Sequence, residues 1–512
     1  MRISRLVGRV LPLLVIAGIA LPASLGHAAS PRGPAKASNG TLVIQLNADP
    51  PSLDPSYSTA LVDRQVLNNL CDKLFDLNAR GKIVGDLVQK VTTSKNGKTY
   101  TLTLHKGIKF TDGTPLDANA VKFNLDRYRQ PASLRALEVQ YIQNITVTGK
   151  YTLKIALTTP FAPFLSILTD RSGMIVSPKA VQDEGETGFR NNPVCSGPYK
   201  FVDRVKADHI DLTANTHYWK KGLPKTKNLV FKIFTDANSA LVNLESGELD
   251  FIIPPPTALA VLKGQKKFTV VNKSSISYFG IYLNVTAAPL NNRDLRQAID
   301  AAVNRKGLAR VVYQNTVRAA WSPFGAGVLG HDKNDIAPKP DVKKAKQLVA
   351  KSGISNPTFT LKIASGSTIA QQEAAFIQSN LKLAGITMNI QPEDFGTLLS
   401  DGGKHNFQAM DLGWSGRPDP DQNIYDFFVT GSKNNYEAYS NATVDSLLAK
   451  ARKTLKSSKR RALYDQVMSI LHKDVPYVFT YHGNNVFAYS SKLTGFEYVP
   501  DGIIRAYRIS KK

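Results

Sequence analysis

The sequence predicts an α/β protein, and three observations lead to this fold class. Stretches rich in β-branched residues alternate with stretches of helical spacing between residues 200 and 390. Residues 358–390 contain a strand, a helix and a second strand in succession, and a right-handed crossover would make the two strands parallel. Hydrophobic residues form 42% of the 512 positions. That share is enough for a large core, and the length suggests two or three structural units.

The first 28 residues have the pattern of a signal peptide. Three arginines begin it, an apolar stretch covers residues 10–23, and Gly26-His27-Ala28 predicts cleavage after Ala28. The apolar stretch is too short to span a membrane, and no cysteine near the cleavage site could carry a lipid. We therefore expect a periplasmic protein without a lipid anchor, in which residues 29–40 form a flexible lead-in.

In the first half of the mature chain, alternating patterns predict strands and helical spacing predicts helices. Leu67, Leu70 and Leu74 share one helical face, and Asp117 is placed to cap a helix that ends before Pro131. The complete set is strands at 41–47, 98–104, 200–204, 229–234 and 249–253, a hairpin over 144–157, and helices at 62–77, 117–130 and 239–246.

The second half begins with a strongly β-prone run over 278–284 and ends in β-prone segments. A basic helix stops at Gly353, and the helix of the β-α-β unit stops at Gly385, since glycine commonly ends helices. The complete set is strands at 278–284, 358–363, 386–390, 477–481, 486–489 and 502–509, and helices at 294–303, 339–351, 369–383, 443–456 and 458–473.

The formal charge of the chain is strongly positive, at +25 before the signal peptide is removed. Such a charge is compatible with nucleic acid, an anionic membrane surface or acidic solutes. The basic residues are scattered, however, and the densest run, 453–461, is predicted to be the solvated junction of two helices. With no basic stripe and no RNA-binding signature, we expect no nucleic-acid partner.

Residues 413–421 (GWSGRPDPD) combine a large aromatic side chain, a guanidinium and two carboxylates. Trp414 offers an apolar wall, and Arg417 offers donors suited to a carboxylate or phosphate. Asp419 followed by Pro420 is typical of a helix start, with the carboxylate as the cap. We therefore predict that Trp414 and Arg417 face a ligand, while Asp419 caps the following helix.

The two cysteines, Cys71 and Cys195, form an even pair in an exported chain, and this favours one disulfide. Whether their backbones come within bridging distance is left open by the sequence.

Catalytic and cofactor motifs are absent from the sequence or lack the flanking elements that they need. Residues 325–330 fit G-x-G-x-x-G but lack the flanking strand and helix of a dinucleotide site. The sequence contains no H-E-x-x-H, no G-x-S-x-G and no Walker loop. We therefore expect no metal site, no cofactor and no enzymatic activity.

Five segments carry a resemblance to a known family. They are 47–55 (NADPPSLDP), 110–116 (FTDGTPL), 196–199 (SGPY), Leu283-Asn284 with 295–299 (LRQAI), and 414–421 (WSGRPDPD). In this order they resemble the extracytoplasmic solute-binding proteins of the peptide/nickel/opine class (family 5), the receptor components of ABC importers. The resemblance implies two lobes that close on a ligand in a periplasmic binding protein fold.

The resemblance also implies bounds for the lobes and residues for the site. Lobe I would comprise 41–283 and 488–512, with an inserted subdomain near 82–190, and lobe II would comprise 284–487. The chain would cross between lobes near 282–285 and 484–489. The implied hinge residues are Tyr282, Asn284 and Val486, and the implied ligand-binding residues are Trp414, Ser415, Arg417 and Asp419.

The sequence departs from the family pattern at informative positions. The usual Gly-Thr before Gly-Pro-Tyr is Cys195-Ser196 here, and Cys71 stands where many relatives carry an aromatic residue. These two coordinated departures strengthen the prediction of a disulfide. Arg417 occupies the position at which dipeptide-binding relatives carry an acidic residue that pairs with the peptide amine. A cation there would favour a solute with a free carboxylate.

The resemblance therefore predicts a monomeric receptor that binds a small peptide or peptide-like solute and delivers it to the membrane subunits of an ABC permease. Two alternatives stay open. One is an exported hydrolase that acts on peptides or conjugates, and the other is a receptor for a nickel chelate or an opine-type solute.

Overall fold

The computed structural model of the protein describes residues 40–331 and 337–512. The predicted signal peptide, and the lead-in up to residue 39, lie outside the described residues. No helix in the described part is both long and apolar enough to cross a bilayer.

The first half of the chain contains twelve strands and seven α-helices among the described residues. The strands are β1 (Thr41–Leu46), β2 (Phe75–Leu77), β3 (Ile83–Gly85), β4 (Val88–Thr93), β5 (Thr99–Leu104), β6 (Ile142–Gly149), β7 (Thr152–Leu157), β8 (Tyr199–Val205), β9 (His209–Ala214), β10 (Asn228–Ile233), β11 (Phe251–Ile252) and β12 (Phe268–Ser274). The helices are α1 (Leu61–Leu70), α2 (Ala118–Tyr128), α3 (Ala136–Val139), α4 (Phe164–Ile167), α5 (Pro178–Asn191), α6 (Ala237–Ser246) and α7 (Leu259–Gly264).

The second half adds nine strands and eight α-helices among the described residues. The strands are β13 (Phe279–Leu283), β14 (Arg318–Ala319), β15 (Thr358–Ala364), β16 (Thr387–Glu393), β17 (Ala409–Asp411), β18 (Tyr477–His482), β19 (Asn484–Ser490), β20 (Leu493–Thr494) and β21 (Ser510–Lys511). The helices are α8 (Arg293–Ala302), α9 (Arg305–Val311), α10 (Val342–Lys351), α11 (Thr368–Leu383), α12 (Phe395–Gly403), α13 (Asp421–Phe428), α14 (Ala442–Lys453) and α15 (Ser457–Asp474).

Two large mixed sheets organise the molecule. The first has seven strands in the order β12-β19-β11-β1-β10-β9-β8, and the second has six in the order β14-β18-β13-β17-β15-β16. A separate four-stranded antiparallel sheet, β4-β5-β7-β6, lies within the predicted inserted subdomain. The predicted β-α-β unit is present, because β15 and β16 pair in parallel with α11 between them.

The chain changes sheets a few residues away from the predicted crossings. It leaves the first sheet after Ser274 and enters the second at Phe279, and it returns at Gly483, between β18 and β19. We therefore use lobe I for residues 40–274 with 484–512, and lobe II for residues 279–482. The shift is a few residues at each crossing.

The three residues predicted as hinges are held by strand pairing or by buried hydrogen bonds. Tyr282 pairs with Met410 and Tyr477 inside the second sheet. The buried Asn284 amide donates to two backbone carbonyls of lobe II, at 3.0 and 2.9 Å. Val486 pairs with Asn272 in the first sheet. The chain passes between the two sheets at 275–278 and at Gly483, and the three predicted residues lie outside these linkers.

Two predicted elements differ from the structure. The helix predicted over 62–77 ends at Leu70, and Phe75–Leu77 pairs instead with β3 as a strand. Cys71 ends the helix in an extended conformation, with its sulfur 1.93 Å from that of Cys195. The segment predicted as a strand at 502–509 is largely irregular and packs against α1, where the Ile504 N–H donates to Gln65 Oε1 at 2.8 Å.

Candidate functional site

A cavity of about 610 Å³ lies between the two lobes. Lobe I contributes Asn47 and Gln65 to its wall, and lobe II contributes Phe279, Ser367 and Trp414. The wall is mostly apolar with scattered amide and hydroxyl groups, which is the usual composition of a site for a small organic molecule. Because both lobes supply wall residues, opening the lobes would take the site apart.

The predicted residues Trp414 and Ser415 both line this cavity. Trp414 exchanges two backbone hydrogen bonds with Tyr278, and its ring packs edge-on against Phe427 with ring centroids 4.8 Å apart. The indole N–H donates to Asn423 Oδ1 at 3.2 Å, so its polar group is satisfied within lobe II. The ring is therefore fixed as an apolar contact surface.

Arg417 lies behind this wall and is only 2% exposed. Its Nε donates to Asp170 of lobe I at 2.5 Å, and its guanidinium carbon lies 4.3 Å from the Trp414 ring centroid. The side chain does not line the cavity. A direct contact between Arg417 and a solute stays a prediction, and this arrangement gives the guanidinium a different role, as a bridge between the lobes.

Asp170 is the centre of a buried ionic cluster at the lobe boundary. It accepts from Arg64 Nε at 2.8 Å as well as from Arg417, and Arg171 approaches to 3.6 Å. Arg64 also donates to Ser415 Oγ in lobe II at 3.2 Å. Burial alone would raise the pKa of Asp170, but the surrounding arginines, with Arg417 first, hold that pKa well below its usual value. The surrounding arginines therefore favour the ionised form of Asp170.

Asp419 also lies outside the cavity wall. Its Oδ1 accepts the N–H of Asp421, the first residue of α13, at 2.9 Å, but Pro420 and not Asp419 stands in the N-cap position directly before the helix. Arg460 binds its two oxygens at 2.9 and 2.7 Å. A ligand-binding role for Asp419 also stays a prediction, because this carboxylate already has a cation and a backbone donor as partners.

The charged residues that line the cavity among the described residues are three aspartates, and sequence reasoning missed them as site residues. Asp49 binds Arg204, Asp394 caps α12, and Asp501 binds Arg505. Asp49 stands within segment 47–55, which carried part of the family resemblance. That segment was therefore the sequence feature that could have identified Asp49 as a site residue. No lysine or arginine in the described part lines this cavity.

Gly416 explains how the loop that carries Trp414 and Arg417 fits against the linker 275–278. Its φ is +76°, and a Cβ there would lie 2.0 Å from the Ile276 carbonyl oxygen. Only glycine meets both requirements without displacing the backbone.

The described residues hold no group of three histidine, cysteine or acidic side chains placed to bind a metal ion.

A cavity shared by two α/β lobes, with an ionic bridge across the lobe boundary, defines a two-lobed solute-binding protein. The chain belongs to the bacterial extracellular solute-binding proteins, family 5, whose model matches residues 82–436. This result confirms the family and the two-lobed α/β fold that the sequence predicted.

Similar proteins and structures cover nearly the whole chain. The glutathione-binding protein GsiB of Pectobacterium atrosepticum is 31% identical over 474 residues, covering 90% of this chain and 92% of that protein. The periplasmic binding protein DppA of Helicobacter pylori, solved with the peptide STSA, has a TM-score of 0.85 and 25% identity, covering 92% of this chain and 98% of that one. NikZ of Campylobacter jejuni, solved with Ni(L-His), has a TM-score of 0.84 at 23% identity, covering 93% and 100%; this likeness concerns the fold.

Proposed function

We propose that this protein is the periplasmic receptor of an ABC importer, which captures a small peptide or peptide-like solute between its lobes and delivers it to membrane permease subunits. The protein is exported, its signal peptide is cleaved after Ala28, and it acts as a monomer. The observation that carries the proposal is the cavity of about 610 Å³ whose wall is divided between the two lobes. Relatives named as glutathione- and peptide-binding proteins support the solute class.

The composition of the cavity wall favours a receptor over an exported hydrolase. A hydrolase would need a nucleophile beside a general base or a metal. The hydroxyl of Ser415 is instead held by Arg64 and Arg417, each at 3.2 Å, and no histidine in the described part lines the cavity. We therefore propose that bound solutes leave the protein unchanged.

A free carboxylate on the solute fits the amino end of α11 better than it fits Arg417. Ser365, Gly366 and Ser367 line the cavity directly before this helix, which runs for 16 residues. The N–H groups of a helix start carry partial positive charge and favour anions; at α11 the Ser367 hydroxyl already accepts the Ala370 N–H at 3.2 Å. The neighbouring hydroxyl groups can donate further hydrogen bonds to the same carboxylate.

The first test is a thermal-shift panel of di- to pentapeptides, glutathione, opines and a nickel–histidine complex. We expect at least one carboxylate-bearing member to raise the melting temperature, because ligand at a hundred times its dissociation constant adds about 2.7 kcal/mol to the stability. Trp414→Ala should lower the affinity for that panel member by roughly tenfold to a hundredfold, because an apolar contact worth about 1.5–3 kcal/mol is lost.

Trp321→Ala is the matched control, because the Trp321 ring stacks on His472 outside the cavity wall. It should lower the stability of the free protein and leave the solute-dependent shift intact. A panel without any shift would refute the proposed solute class. Equal solute affinities in the Trp414→Ala variant and the unmodified protein would show that this ring does not contact the solute.

A further inference from the structure

A side cavity of about 340 Å³ adjoins the main one, and Phe279 lines both. The two cavities also share Asn47, Ser367 and Ala370 in their walls, so they lie side by side at the first turn of α11. One turn beyond Ala370, Glu373 lines the side cavity, and Asp411 at the end of β17 lines it as well. The site described above uses neither carboxyl group.

Neither carboxyl group has a cationic partner in the described part of the chain. Glu373 is only 2% exposed, its Oε2 accepts the Tyr313 O–H, and its Oε1 has no hydrogen-bond partner. Asp411 is partly exposed, and no basic side chain among residues 40–331 and 337–512 pairs with its carboxylate. No lysine, arginine or histidine of the described residues lines this side cavity.

Two of the three aspartates that line the main cavity have a cationic partner. Asp49 and Asp501, in the main cavity, each bind an arginine. No basic side chain of the described residues that line the side cavity compensates Glu373 or Asp411. Burial and then the Asp411 charge raise the pKa of Glu373 well above its usual value, and desolvation by the surrounding protein raises the pKa of the partly exposed Asp411 to about 7. A buried carboxyl group without a counter-charge is costly, and an incoming cation would remove that cost.

The remaining wall suits an organic cation. Phe279 and Tyr481 stack with ring centroids 4.8 Å apart, and both rings line the side cavity. Tyr313 lines it too, and its hydroxyl lies 2.7 Å from that of Tyr481. Aromatic faces attract ammonium and guanidinium groups, and carboxylates form charge-assisted hydrogen bonds with them.

We propose that this side cavity is a subsite for an organic cation, a primary ammonium or guanidinium group carried by the solute on a flexible arm. The proposal rests on the proposed function in one respect, namely that the body of the solute occupies the main cavity. The cationic arm then passes Phe279 and ends between Asp411 and Glu373.

Small probes test the subsite without knowledge of the natural solute. Ligand-observed NMR on the mature protein should detect saturable binding of n-butylammonium and n-butylguanidinium at millimolar concentration, and no comparable binding of n-butanol. The variants Glu373→Gln and Asp411→Asn should each weaken the binding of both cations by about tenfold or more, since each removes a charge-assisted hydrogen bond.

Glu437→Gln is the matched control, because Glu437 is also fully buried with two unpartnered oxygens but lines neither cavity. It should leave binding of the cations unchanged. Asp411→Asn changes a partly exposed side chain, so it keeps the test valid if Glu373→Gln fails to fold. Absence of saturable cation binding to the unmodified protein, or equal binding by a folded Glu373→Gln or Asp411→Asn variant, would overturn the subsite.

The outcome is separable from that of the solute panel. Peptides that bind while the two cations do not would refute the subsite alone. Cations that bind through Glu373 and Asp411 while no panel member binds would support the subsite and refute the proposed solute class.

Discussion

Replacing Asp170 with alanine should weaken solute binding by roughly a hundredfold or more. Its carboxylate is held by Arg64 from lobe I and Arg417 from lobe II, with Arg171 nearby. Removing one partner of a buried ion pair costs about 3–5 kcal/mol, because the remaining charges stay buried without compensation. An open form would expose Arg417 to water, so the Arg417 share of the cost falls on the closed form that holds the solute, whereas the share of Arg64 and Arg171 falls on lobe I in both forms.

The Asp170 variant can be checked with calorimetry for affinity and small-angle X-ray scattering for closure, using whichever panel member binds. Asp126→Ala is the matched control, because Asp126 forms exposed ion pairs with Lys122 and Arg129 on the surface of α2. Such pairs contribute about 0–1 kcal/mol, so affinity and closure should not change. An Asp170→Ala variant that binds and closes like the unmodified protein would show that the bridge does not stabilise the closed form.

Loss of the Cys71–Cys195 bridge should lower the free energy of unfolding by up to roughly 4–5 kcal/mol, the chain-entropy value for a closed loop of this size. The two cysteines are 124 positions apart in sequence, and both belong to the buried core of lobe I. The bridge joins the end of α1 to the loop that enters β8, where Gly197 N–H also donates to the Leu70 carbonyl at 2.8 Å. We propose that it forms in the exported protein.

Urea unfolding with and without reductant measures this effect, and the double variant Cys71→Ala/Cys195→Ala serves as the control. Reductant should destabilise the unmodified protein and have no effect on the double variant. Non-reducing mass mapping that finds two free thiols in the exported protein would disprove the bridge.

Most of the fold follows from local sequence patterns. The strand β1, the capped helix α2 and the β-α-β unit around α11 were predicted, because periodicity, caps and glycine stops act over a few residues. The helix predicted over 62–77 was too long, because the chain bends at Cys71 and Phe75–Leu77 gains a strand partner in β3. A partner of this kind cannot be read from helical spacing.

The site was less predictable, because its contacts join distant segments. Sequence reasoning selected Trp414 and Ser415, and the structure places both on the cavity wall. It could not show that Arg417 meets Asp170, since nothing near Arg417 in sequence specifies a partner in the other lobe. The cluster of Glu373 and Asp411 also carries no motif, because α11 and β17 bring the two together only in the folded chain.

The central claim is that the protein captures an intact solute between two lobes, and native mass spectrometry tests it most directly. The mature protein would be incubated with a defined mixture of di- to pentapeptides and glutathione, and both the complex and the remaining mixture would be analysed. We expect one or a few members to be retained at one molecule per chain and released with unchanged mass on denaturation. Cleaved peptides in the mixture, or no retained solute at all, would contradict the account.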